Sequence, residues 1–102
     1  MADPLGAADL AQALSGLDGW QYDGSAIRRT VSLPGFLAAI RVVDRVAEAA
    51  EEMDHHPDID IRWRTLTFAC VTHSAGAVTD RDVTLASKID EIVRDAKGRG
   101  ES

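Results

Sequence analysis

The sequence predicts an α+β domain: a four-stranded antiparallel sheet with helices packed on one face, in the order α-β-β-α-β-β-α. Three observations carry this. A long helical period over residues 34–53 gives way after Pro57 to a period of two. Two pairs of short alternating segments are each joined by a turn, which is the pattern of antiparallel hairpins. Helical spacing then returns from residue 79 onward. Antiparallel hairpins bury one face and leave the other to water, so the second face of the sheet has to be explained. With 102 residues, 45% of them hydrophobic and 27% charged, the chain has room for one domain and no more. Residues 1–102 are read as that domain, with flexible tails at 1–6 and 97–102.

Residues 7–15 carry Leu10 and Leu14 at helical spacing and stop before Gly16, a helix terminator. Residues 20–22 and 26–33 flank the Asp23-Gly24 turn signal and read as a hairpin. Pro34 is a good first-turn residue for the long helix, in which Phe36, Ile40, Val43, Ala47 and Ala50 form an apolar stripe widened by Leu37 and Val46. In the second hairpin Ile59, Ile61 and Trp63 alternate with charged residues, and Leu66, Phe68 and Cys70 alternate in the return strand. The last helix begins at Thr79-Asp80-Arg81-Asp82, where a threonine followed three residues later by a carboxylate makes a capping box.

Composition excludes several classes of function. Eleven basic against seventeen acidic residues give a net charge of −6, the wrong sign for tracking phosphates, so no direct nucleic-acid partner is expected. One cysteine, Cys70, forms no intrachain disulfide. Its register points it at the core, as a buried strand residue and not a nucleophile. No run approaches the ~18 apolar residues of a membrane span, and the start lacks a signal sequence, so a cytoplasmic protein without membrane contact is expected.

The three histidines, His55, His56 and His73, all fall within nineteen residues. A two-residue turn at Arg64-Thr65 sets Trp63 against Leu66, Ile61 against Phe68 and Ile59 against Cys70, an unbroken apolar face that puts Trp63 in the core. The same register opposes His56 and His73 on the other face, about 5 Å apart at their β carbons. His55 projects nearby from the adjoining loop. Upstream, Glu51, Glu52 and Asp54 crowd the carboxyl end of the long helix, where the macrodipole disfavours negative charge and calls for a compensating group. A hydrogen-bonded histidine answers that need, and the carboxylate in turn fixes its tautomer.

Glu51, three residues, His55-His56-Pro57, five residues, Trp63, nine residues, His73, eight residues and Asp82 together resemble the signature of the pterin-4a-carbinolamine dehydratase family. Likeness extends from Gly19-Trp20 to Leu85-Ala86-Ser87, about three quarters of the chain. The resemblance implies the fold derived above and a hydro-lyase that converts 4a-hydroxytetrahydropterin to quinonoid dihydropterin, the recycling step after aromatic amino-acid hydroxylation. It implies no metal and no organic cofactor, the pterin being the substrate.

Carried over by position, His55 and His73 are the leading acid/base candidates and His56 a positioning or second proton-transfer group. Glu51 and Asp82 would orient the histidines. Pro57, Thr72, Ser74 and Ala75 would contact the pterin through backbone groups, and Trp20 would stack on its ring or close the site. Ser74 stands where an acidic residue is expected in related sequences, which bears on substrate preference. Ordinary structural roles compete with these: the capping box for Asp82, the core for Trp63, and core or interface for Trp20.

Three histidines and a carboxylate also suit zinc. Neighbouring His55 and His56 point to opposite sides if extended, however, which makes a three-histidine tetrahedral site awkward. The rival from another class is a non-catalytic dimerisation or assembly module, since members of the resembled family serve as partners of a transcription factor or as assembly factors. In either case a homodimer or homotetramer is expected.

Overall fold

The structure is a computed structural model that describes residues 3–98. Three helices and four strands follow in the expected order: α1 (Ala7–Ser15), β1 (Gln21–Tyr22), β2 (Ile27–Ser32), α2 (Phe36–Met53), β3 (Asp58–Arg62), β4 (Thr65–Cys70) and α3 (Asp80–Gly98). All neighbouring strands are antiparallel and lie in the order β1-β2-β4-β3. Alternation explains which face is covered. Ile27 and Val31 of β2 and Leu66, Phe68 and Cys70 of β4 point inward and form one cluster with Val42 and Val46 of α2 and Leu85, Ile89 and Val93 of α3. On the outer face the hydroxyls of Thr30 and Thr67 meet at 2.9 Å and those of Ser32 and Thr65 at 3.1 Å, a polar ladder open to water.

The tails are shorter than expected. Leu5 is partly buried against the core and its amide donates to the Val78 carbonyl at 2.9 Å, so the ordered chain begins before residue 7. At the other end Lys97 and Gly98 still belong to α3. The remaining expected tail positions, 1–2 and 99–102, lie outside the described residues.

The second hairpin differs from its expected register. Asp58 pairs with Ala69, Ile59 with Phe68, Ile61 with Leu66 and Arg62 with Thr65, so the turn residues are Trp63 and Arg64. Moving the turn by one residue slides the pairing by two, which keeps every side chain on its original face. Apolar alternation is therefore blind to the difference. Trp63 leaves the core as a result: it sits in the turn at φ 54°, 70% exposed, with the Arg64 guanidinium over its ring at 4.9 Å. Cys70, fully buried, faces Ile27 of β2 instead of Ile59. The ladder ends at Asp58 and Ala69, so His56 and His73 are not opposed strand residues.

The stripe on α2 is also rotated. Ala38, Ala39, Val42, Val46 and Ala50 are buried, whereas Phe36, Leu37 and Ala47 are exposed. Alanines on the buried side allow close packing, and the helix carries a second apolar stripe beside the first. Bulk alone does not tell which of two such stripes faces inward.

A buried carboxylate ties the amino-terminal segment to the far helix. Asp90 of α3 accepts hydrogen bonds from Trp20 Nε1 at 2.7 Å, Arg29 Nη1 at 2.5 Å and the Asp18 amide at 3.1 Å. Trp20 is 5% exposed there and belongs to the core cluster.

Candidate active site

The ends of three elements, α2, β4 and α3, meet at one end of the sheet. α2 ends at Asp54, whose left-handed backbone (φ 52°) turns the chain sharply, and the His55 amide then bonds back to the Ala50 carbonyl at 3.0 Å. This reversal sends the two adjacent histidines apart: His55 inward, 8% exposed, and His56 outward to solvent. β4 ends at Cys70. Beyond it the Thr72 amide donates to the Ala77 carbonyl and the Gly76 amide to the His73 carbonyl, closing a tight turn that carries exposed His73 and Ser74. Gly76 lets that turn close by taking φ 64°. α3 starts just after Thr79 with the expected capping box, in which the Thr79 amide donates to Asp82 Oδ2 at 2.9 Å.

The three histidines line one cleft of about 240 Å³ together with Thr72, Ser74 and Arg81, and Asp54 and Val71 complete its wall. Carboxylates stand behind two of the imidazoles. Asp82 Oδ1 lies 2.5 Å from His55 Nε2, with both side chains buried, and Glu51 Oε2 is bonded to His56 Nε2 at the surface. Asp82 thus serves the helix cap through one oxygen and His55 through the other. Its structural and orienting roles are not alternatives. Pro57 and Ala75 belong to the loops that carry the histidines but do not line the cleft, and Trp20 is held at Asp90, away from it.

The acidic carboxyl end of α2 is compensated twice. His56 takes Glu51, as the sequence suggests. The second group is Arg81, whose Nη2 donates to the carbonyls of Met53 at 2.8 Å and Asp54 at 3.0 Å. The sequence points to a nearby histidine as the compensating group. The cation comes from 27 positions further on, because the start of α3 packs across the end of α2.

Among the described residues no three His, Cys, Asp or Glu side chains form a group suited to a metal ion. Cys70 is no nucleophile: burial, with the charges of Asp82 and Asp58 adding to it, pushes its thiol far above the usual range. A larger cavity of about 700 Å³ lies between α2 and α3, lined by Arg45, Lys88, Glu91 and Arg94 among others. It holds no imidazole.

The cleft brings together three imidazoles, two of them bonded to carboxylates. A Mycolicibacterium smegmatis protein provisionally named pterin-4-alpha-carbinolamine dehydratase is 58% identical over 83 residues, 81% of this chain and 88% of its own length. A Nocardia farcinica protein named in the same way is 59% identical over 85 residues, covering 83% and 90%. The crystal structure of a transcriptional coactivator/pterin dehydratase from Brucella melitensis superposes with a TM-score of 0.86 at 33% identity, over 89% of this chain and 99% of that one. A pterin dehydratase-like protein described as a RuBisCO assembly factor in the alpha-carboxysome shares the fold, with a TM-score of 0.61 at 14% identity over 81% of this chain and 89% of that one. The family model for pterin 4 alpha carbinolamine dehydratase matches residues 3–92, an interval that holds every residue of the histidine cleft, and the chain belongs to that family.

Proposed function

We propose that this protein dehydrates a 4a-hydroxytetrahydropterin to the quinonoid dihydropterin by histidine acid/base catalysis, without metal or organic cofactor. The observation that carries the reading is the convergence of His55, His56 and His73 on one cleft, two of them bonded to carboxylates. In the reaction a ring nitrogen gives up its proton and its N–H electron pair becomes the second bond of C=N. The C–O bond breaks with its pair going to oxygen, which takes up a proton and leaves as water. One base and one acid suffice, and neutral imidazole and imidazolium serve both needs near pH 7. Thr72 and Ser74, which line the cleft, contact the flat ring, Thr72 through its backbone and Ser74 through backbone or hydroxyl. His55 and His73 exchange protons and His56, held by Glu51, positions the substrate.

The site requires no oxidising compartment, and we place the protein in the cytoplasm as a homodimer or homotetramer. Among the described residues no helix is long and apolar enough to cross a membrane. Stopped-flow measurement with 4a-hydroxytetrahydropterin tests the reading. Acceleration by the purified protein, unchanged after chelator treatment, is the expected result. No acceleration would move the protein to the non-catalytic assembly reading, and loss on chelation would end the metal-free one.

A further inference from the structure

We propose that Thr79 and Thr72 form a one-way hydrogen-bond chain that locks His55 in its Nε2–H tautomer, so that Nδ1 is the atom of His55 that exchanges protons with substrate. The direction follows from counting protons. Asp82 Oδ2 only accepts, and it receives the Thr72 hydroxyl at 2.8 Å and the Thr79 amide at 2.9 Å. Thr72 has one hydroxyl proton, already given to Asp82. Its 2.7 Å contact with Thr79 Oγ1 therefore has Thr79 as donor. Thr79 Oγ1 itself accepts the Arg81 amide at 3.2 Å. The polarity runs from an amide in the first turn of α3 through two hydroxyls into the carboxylate, every link donating toward it.

With Oδ2 occupied by two donors, Oδ1 is the oxygen left to face His55 Nε2, at 2.5 Å. An ionised carboxylate oxygen only accepts, so the hydrogen of this contact sits on Nε2. Nδ1 is then the ring's lone-pair atom, and among the described residues it makes no hydrogen bond. No buried side-chain polar atom there lacks a partner, so Nδ1 is reached from the cleft, and the cleft is lined by His55 itself. A proton leaving the substrate's ring nitrogen has Nδ1 to accept it. Thr72 and Thr79 touch no reacting atom in this scheme and act as positioning residues through Asp82.

The test reads the tautomer directly and rests on the dehydratase reading only for its kinetic arm. Nitrogen NMR of the ligand-free, 15N-labelled protein at about pH 9, where ordinary imidazoles are neutral, reports which ring nitrogen of His55 carries hydrogen. Assignment comes from His56→Gln and His73→Gln. Hydrogen on Nε2 is expected, and hydrogen on Nδ1 overturns the proposal. In Asp82→Asn the amide NH2 faces Nε2, and the tautomer should invert; an unchanged tautomer also overturns it. In the kinetic arm Thr72→Val should lower kcat roughly 10- to 100-fold with little change in KM, the worth of one hydrogen bond to a charged group, and Thr72→Ser should restore it. Equal kcat for Thr72→Val and wild type refutes the positioning role. If wild type shows no turnover but Nε2 carries the hydrogen, the dehydratase reading fails and the tautomer assignment stands.

Discussion

His55 and His73 reach the cleft in different ways. His55 is buried and its ring is clamped by Asp82, whereas His73 is exposed on a tight turn and its ring makes no hydrogen bond among the described residues. A clamped imidazole accepts a proton at a fixed place, and a free one adapts to the departing group. Alanine at either position should lower kcat by roughly 10²- to 10⁴-fold, the usual worth of a general acid or base, measured by stopped flow. Full activity in the double variant would refute both assignments. Trp63 offers a residue-scale test of the hairpin register. In the core it would lose about 3–5 kcal/mol on truncation. In the observed turn it holds a bulky side chain at φ 54°, a backbone conformation that asparagine adopts more readily. Trp63→Asn should therefore leave stability unchanged or raise it by up to about 1 kcal/mol, as chemical denaturation would show.

Among the elements, the junction of α2 and α3 positions the site. Arg81 binds the last carbonyls of α2 while its own helix cap holds Asp82, so one packing contact places both His55 and the carboxylate behind it. Arg81→Met should cost about 1–3 kcal/mol through two lost charge-assisted bonds, a melting temperature lower by several degrees, together with a fall in kcat as the His55-His56 segment loosens. A variant with wild-type melting and wild-type kcat would show the contact to be incidental. This junction marks the limit of what the sequence discloses. The element order, the α1 bounds and the capping box are legible because they follow from local period and local hydrogen bonding. The three histidines do line one cleft, but the register from which the sequence reading draws their convergence, His56 opposed to His73, is not the one observed. The hairpin register is not legible, because slides of two residues preserve alternation. Arg81 is hidden for a different reason: its partners are carbonyls, which have no signature in side-chain chemistry.

For the molecule as a whole, the accessible surface of 5792 Å² matches the about 5,600 Å² expected of a folded chain of this mass, so a single copy is compact without a partner. Compactness does not make its surface inert. Of the stripe that sequence periodicity assigns to the core, Phe36 and Ala47 lie exposed on α2, with Phe36 50% and neighbouring Leu37 60% exposed, while Val43 packs against the core. A helix that leaves large apolar side chains outside its own domain is suited to pairing with another copy, and a symmetric pair needs only this one self-complementary surface. Phe36→Asp with Leu37→Asp tests this at the scale of the assembly. Neither side chain lies in the core cluster or lines the histidine cleft, so the double variant should fold with near wild-type helix content. In analytical ultracentrifugation at micromolar concentration, wild type is expected to sediment as a dimer or tetramer and the double variant as an 11.0 kDa monomer. An unchanged oligomer would place the interface elsewhere, with the exposed edge strand β3 the next surface to test, and a monomeric wild type would refute self-association altogether.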